Sequence, residues 1–219
     1  MIEKRILHKT KVSGIKQIAK DVFVLSFPRG FEFRAGQVVG LDVEENGTPR
    51  LYSIASGEKD ENIDILFDEK PDGKLTPLLS TLKTGDNIYV SEPFGKFQCG
   101  DENAWFIASG TGIAPFVSML RSGFVVGKKV IHGGRFDENF YFSEMLGKLL
   151  GENYIRCCSQ QADTKYYKGR LTKWIQEKEE LPVENKFYLC GSPEMVVEVR
   201  DLLISKGVSF QNIISETYF

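Results

Sequence analysis

Metal-binding side chains are scarce in this chain. Its 219 residues include two histidines, His8 and His132, and four cysteines, Cys99, Cys157, Cys158 and Cys190. Their spacing forms no zinc or iron–sulfur pattern and no disulfide framework, so no metal site is expected and the thiols are expected to be reduced. No apolar run reaches the length of a membrane span, and Met1-Ile2-Glu3-Lys4-Arg5 lacks the apolar core of a signal peptide. A cytoplasmic protein is the expectation. Charge of one sign is also lacking: 28 basic residues face 30 acidic ones, a net charge of -2, which gives no general reason to bind nucleic acid. There is no internal repeat, no low-complexity stretch and no apparent catalytic triad. What remains is an ordinary globular composition, long enough for one large domain or two of about 100 residues.

Two rhythms divide the chain. Up to about residue 97 the pattern is short and alternating, with strands expected over 22–27, 37–43, 62–67 and 87–90. Turn signals such as Pro28-Arg29-Gly30, Asn46-Gly47 and Thr84-Gly85-Asp86 lie between them, as in an antiparallel barrel. After about residue 101 strands alternate with helices. Strands are expected over 105–108, 129–132, 154–158 and 187–190, and helices over 115–122, 140–150, 171–180 and 193–206. Such repetition implies a parallel, doubly wound sheet, with ligands beyond the carboxyl ends of its strands. The boundary is expected near Gln98-Cys99-Gly100-Asp101.

Four segments carry chemistry. In Arg50-Leu51-Tyr52-Ser53 an extended backbone aims Arg50 and Tyr52 to one side, which suits a ligand with an anionic linker and a flat ring. An edge-strand arginine beside a core tyrosine is the competing reading. In Gly73-Lys74-Leu75-Thr76-Pro77, Thr76 is expected to cap a helix that Pro77 opens, with amides left for an anion. Ser109-Gly110-Thr111-Gly112-Ile113-Ala114-Pro115 lies between an apolar strand and an apolar helix, the context of a phosphate-binding glycine loop. It departs from the usual dinucleotide fingerprint, with proline in place of the third glycine. Cys190-Gly191-Ser192-Pro193-Glu194-Met195 repeats the design at the last strong strand, with Ser192 as cap.

These segments, with the tail Glu216-Thr217-Tyr218-Phe219, resemble in order the ferredoxin–NADP reductases, and most closely their bacterial flavodoxin/ferredoxin-reducing branch. The resemblance spans nearly the whole chain. It implies a six-stranded antiparallel β-barrel that binds FAD over residues 1–98 and a doubly wound NADP(H)-binding α/β domain over 101–219. By that resemblance Arg50 holds the FAD pyrophosphate, helped by amides around Gly73, Lys74, Leu75 and Thr76. Leu51 lies within the same FAD-contacting segment, Tyr52 packs against the isoalloxazine and Ser53 bonds near its N5. Tyr218 and Phe219 are assigned jointly to cofactor packing. Gly110, Thr111, Gly112 and Pro115 would hold the NADP pyrophosphate, with Gly191 and Met195 beside them. Cys190 would lie near nicotinamide C4 and Glu216 near the flavin edge, making Ser53, Cys190 and Glu216 the catalytic candidates.

Arg135, Ser159 and Arg170 resemble the family's 2′-phosphate ligands, but Gln160 stands where a further basic residue is usual. Lys165, Tyr166 and Lys168 lie nearby, and Ser159 is not the acid that NAD-preferring relatives carry, so NADP is expected. The implied activity is hydride transfer from NADPH to FAD, then single-electron delivery to an acidic carrier, ferredoxin or flavodoxin, by a monomer. The alternatives are a reductase component of an oxygenase, a free-flavin reductase, or an electron-transfer subunit of a larger flavoprotein complex. The oxygenase type often carries an attached ferredoxin domain, for which this chain has neither length nor cysteines.

Overall fold

The computed structural model describes residues 6–216. Its strands form two antiparallel sheets and one parallel sheet. Tyr218 and Phe219, which carry the expected aromatic packing, lie outside the described residues, as does Thr217.

The antiparallel strands are β1 (Leu7–Lys11), β2 (Gly14–Ala19), β3 (Val22–Pro28), β4 (Val38–Asp42), β5 (Arg50–Ser53), β6 (Asn62–Asp68) and β7 (Asn87–Ser91). They form a four-stranded sheet ordered β1-β7-β4-β5 and a three-stranded sheet ordered β2-β3-β6. The expected six strands become seven because the first passes from one sheet to the other at Val12-Ser13. There Val12 donates to the Asp86 carbonyl (2.9 Å) and Ser13 to the Ser26 carbonyl (2.8 Å). Alternation makes these strands: Leu25 and Phe27 of β3 and Ile63, Ile65 and Phe67 of β6 face one core with Val39, Leu41, Ile88 and Val90. Each such side chain contributes about 1.5–3 kcal/mol on burial. A five-residue helix, α1 (Thr76–Ser80), sits between β6 and β7 and buries Leu79 in that core.

The parallel sheet contains β8 (Ala104–Ser109), β9 (Lys128–Gly134), β10 (Tyr154–Cys158), β11 (Tyr167–Lys168), β12 (Lys186–Cys190) and β13 (Ile213–Glu216), ordered β11-β10-β9-β8-β12-β13. The intervening helices are α2 (Ala114–Arg121), α3 (Ser143–Leu150), α4 (Leu171–Gln176) and α5 (Pro193–Ser205). Trp105, Ile107, Phe187 and Leu189 on one face pack with Trp174 of α4 and Val199 and Leu203 of α5. The chain runs outward from β8 to β11 and then returns to the other side of β8, so the order reverses between β8 and β12. That reversal is where doubly wound sheets hold ligands.

Two compact units result: residues up to Gln98 together with Ala114–Ser122, and Cys99–Ile113 together with Gly123 onward. Helix α2 therefore groups with the antiparallel strands although its sequence lies among those of the parallel sheet. Among the described residues no helix is long and apolar enough to cross a membrane.

Candidate functional site

In the first unit, β5 is the edge strand of its sheet among the described residues, paired with β4, with Tyr52 opposite Val39 and Ser53 opposite Val38. Arg50 and Leu51 are exposed, Tyr52 is half-buried and Ser53 is buried. An edge charge blunts unwanted strand pairing and stays free for an anion. Tyr52 meets Phe67 edge-on at 6.5 Å between ring centroids, so one rim of the phenol is anchored in the core. Burial pushes its hydroxyl up to about 12, against the opposing pull of the Arg50 charge, so the ring is neutral at physiological pH. Neutral aromatic surface beside a guanidinium is chemistry that suits a heterocycle joined to a phosphate.

The expected capping role of Thr76 is corrected by the structure. Leu75 occupies the N-cap position without a side-chain bond, and Thr76 and Pro77 open α1. The Thr76 hydroxyl instead accepts from the Lys70 amide (2.9 Å), closing the loop from Lys70 to Thr76, and Gly73 donates to the Lys70 carbonyl (2.8 Å). A backbone donor six residues upstream takes the hydroxyl that would otherwise cap the helix. The amides of Lys74, Leu75 and Thr76 donate to no described residue, as at any uncapped helix start.

In the second unit, the switch point brings together the ends of β8 and β12. Residues Gly110–Ile113 form a 3-10 turn after β8, and Cys190 ends β12 level with Ala108 on one side and Glu216 on the other. A Cβ at Gly112 would stand 2.4 Å from the Cys190 carbonyl oxygen, and one at Gly191 would stand 2.3 Å from the Ser109 hydroxyl. The two turns thus touch backbone to backbone, which only glycine permits. Gly110 holds a left-handed φ of 55°, and Ser192 caps α5 by accepting from the Met195 amide (3.3 Å). Cys190 is only 1% exposed, and burial, helped by the Glu216 charge, pushes its thiol far above the usual range. It is a neutral, space-filling group rather than a thiolate nucleophile.

The other nucleotide candidates line successive carboxyl ends of the same sheet. Arg135 follows β9, Ser159 and Gln160 follow β10, and Arg170 follows β11 as the N-cap of α4. Main-chain bonds tie the first two turns together: Ser159 donates to the Gly134 carbonyl (3.0 Å) and Gln160 to that of Arg135 (2.9 Å). The Ser159 hydroxyl also donates to Gly134 (3.2 Å). Arg135 is exposed and forms no ion pair with any described residue. Arg170 instead pairs with Glu198 of α5 at 2.5 Å. The nearby Tyr166 ring is stacked on the Arg156 guanidinium at 4.0 Å and helps hold it in place.

Two features escaped the motif reading. Arg121, at the end of α2, bonds Asp60 and Asp64, each at 2.7 Å. His132 is fully buried on β9 beside Tyr154, whose hydroxyl lies 3.0 Å from Nδ1. Neither has a local signal: the partners of Arg121 are 57 and 61 positions away, and one histidine in an apolar strand reads as core.

Family models match both halves. One, described as an oxidoreductase FAD-binding domain, covers residues 5–99, and another, described as an oxidoreductase NAD-binding domain, covers residues 106–201. The sequence is 30% identical over 209 residues to a ferredoxin–NADP reductase of Pseudomonas aeruginosa, spanning 82% of this chain and 81% of the relative. It is 26% identical over 226 residues to the toluate 1,2-dioxygenase electron transfer component of Pseudomonas putida, spanning 96% of this chain and 67% of that one. Among solved structures, a ferredoxin NADP+ reductase from Neisseria gonorrhoeae with bound FAD and NADP shares the fold at a TM-score of 0.88 and 21% identity. That match covers 99% of this chain and 100% of the other.

Proposed function

Because the chain belongs to the ferredoxin–NADP reductase family of flavoprotein oxidoreductases, we propose that it oxidises NADPH and delivers single electrons to a small acidic carrier, ferredoxin or flavodoxin. We assign the FAD site to 1–98 and the NADP(H) site to 101–219. When bound, FAD and the nicotinamide supply the redox chemistry, a hydride taken up in one step and electrons given out singly. The protein supplies binding, orientation and charge.

Arg50 clamps the FAD pyrophosphate with a planar fork, and the open amides of Lys74, Leu75 and Thr76 take further phosphate oxygens. Tyr52 offers the flat ring its free face, held against rotation by Phe67. Ser53, buried at the strand end, presents a hydroxyl to the flavin's polar edge. On the nucleotide side, Gly110, Thr111 and Gly112 cradle the pyrophosphate, with Pro115 fixing the start of the helix that follows. Cys190, Gly191 and Met195 shape the wall of that cradle, and Glu216 supplies a carboxylate next to Cys190. Arg135 meets the 2′-phosphate, and Ser159, Gln160 and Arg170 complete its surroundings.

The observation that carries the reading is the glycine cradle at the switch point, with the unengaged Arg135 guanidinium at the next strand end. Neutral strand ends would serve a dinucleotide; a free guanidinium favours one with an extra phosphate. The oxygenase-reductase reading keeps a specific support, the long match to the toluate dioxygenase component.

One experiment separates these. The purified protein is expected to be yellow, or to become so with FAD, and to bleach anaerobically with NADPH at far lower concentration than with NADH. It should then reduce cytochrome c through added ferredoxin or flavodoxin. A protein that stays colourless with FAD overturns the proposal. Equal bleaching by both nucleotides, with electrons accepted only by an oxygenase component, transfers it to the second reading.

A further inference from the structure

Among the described strands β5 pairs with β4 alone, and contacts beyond its end fix the direction in which the chain leaves it. Immediately beyond Ser53, Ile54 donates to the Gln37 carbonyl (3.0 Å) and Ala55 to that of Asp64 (2.8 Å). The segment then turns through residues 55–60, and this turn is where Arg121 arrives from α2. Its guanidinium donates to Asp64 Oδ2 (2.7 Å) and to the Ala55 carbonyl (3.4 Å), and pairs with Asp60 Oδ2 (2.7 Å). The same Asp60 oxygen accepts from the Gly57 amide (2.6 Å), and the other Asp64 oxygen accepts from the Ser26 hydroxyl (2.7 Å). Ser122 adds a bond from the Glu58 amide (3.0 Å), and a Cβ at Gly57 would press on the Arg121 backbone at 3.0 Å.

Every element of this clasp lies in the first unit. Arg121 nevertheless falls within the segment matched by the NAD-binding family model, 106–201, outside the range of the FAD-binding one. The side chains of Arg121 and Asp64 are 27% and 17% exposed, too sheltered for water to replace one partner freely. Without the guanidinium, two carboxylates converge on the exit of β5 with no cation between them, and the Ala55 carbonyl loses a partner. The nearest stretch to respond is Tyr52-Ser53, two residues upstream.

We infer that Arg121 is a positioning residue for the flavin: it holds the exit of β5 so that Tyr52 and Ser53 meet the ring in register. The inference rests on the reading of β5 as the flavin strand. Arg121→Gln in the full chain is expected to raise the FAD dissociation constant at least tenfold by fluorescence-quenching titration and to shift the visible flavin band. Arg121→Lys, with one ammonium for two carboxylates, recovers part of both. Leu203→Ala, a core truncation in the second unit, is the control: it lowers the melting temperature but leaves FAD affinity and the band position unchanged. If Arg121→Gln does not accumulate as folded protein, Arg121→Lys and Asp60→Asn provide the same two readouts. Wild-type affinity and spectrum in the Arg121 variants would overturn the inference, as would equal losses in Leu203→Ala. A wild-type protein that binds no FAD would instead defeat the functional reading on which it stands.

Discussion

At the scale of single residues, the two arginines proposed for the 2′-phosphate are not equivalent. Arg135 has its donors open to solvent, whereas Arg170 must first release Glu198. That exposed ion pair is worth no more than about 1 kcal/mol, so Arg170 is handicapped rather than disabled. Arg135→Ala is expected to raise the KM for NADPH about tenfold, the loss of one charge-assisted contact, while the KM for NADH barely moves. Arg170→Ala should show the same selectivity with a smaller rise. Steady-state kinetics with both nucleotides decide it, and a parallel loss with NADH would remove Arg135 from the phosphate's surroundings. Both arginines were singled out by resemblance to the family's phosphate ligands, Arg135 after an apolar strand whose end could be placed and Arg170 ahead of an expected helix. Thr76 was misread because its hydroxyl turns back to Lys70, a partner no local capping rule looks for. Arg121 was unreadable because its acids are distant in sequence, Asp60 in a turn and Asp64 in β6.

At the scale of elements, alternation located β3, β4, β6 and β7, and apolar runs located β8, β9, β10 and β12. Strand β1 escaped because Leu7-His8-Lys9-Thr10-Lys11 is polar and half-exposed, held by pairing with β7 rather than by a buried face. Strands β11 and β13 escaped because two and four residues are too few to show a period. The meeting of the β8 and β12 ends is a tertiary event, yet its glycines announced it. A methyl group at Gly112 must push apart two backbones rather than a flexible side chain, an overpacking that costs about 1–3 kcal/mol. Gly112→Ala is therefore expected to weaken NADPH binding at least tenfold while flavin content stays at the wild-type level, since the strain falls in the second unit. Nucleotide titration beside a visible spectrum tests this. Unchanged affinity would mean that the cradle does not hold the pyrophosphate.

At the scale of the whole molecule, His132 couples folding to acidity. Burial, assisted by the nearby Arg156 charge, lowers its imidazole from 6.5 to about 3. The unfolded chain takes up that proton below about pH 6.5, and the folded chain refuses it until about pH 3. Folding stability is thus full above pH 6.5 and declines by about 1.4 kcal/mol per pH unit as acidity increases through that window. Urea unfolding at pH 7.5 and pH 5 should show His132→Gln losing about 2 kcal/mol less than the wild type between the two conditions. Identical losses would mean that the imidazole does not resist protonation.

The allegiance of α2 has a consequence for modularity. The two family models divide the sequence near residue 100, whereas Ala114–Ser122 groups with the first unit. A C-terminal cassette cut out near residue 100 would carry away a helix whose residues 114–120 are all buried, and whose bed would be left behind. Grafting the nucleotide half onto a foreign flavin half would thus demand a surface shaped to receive α2.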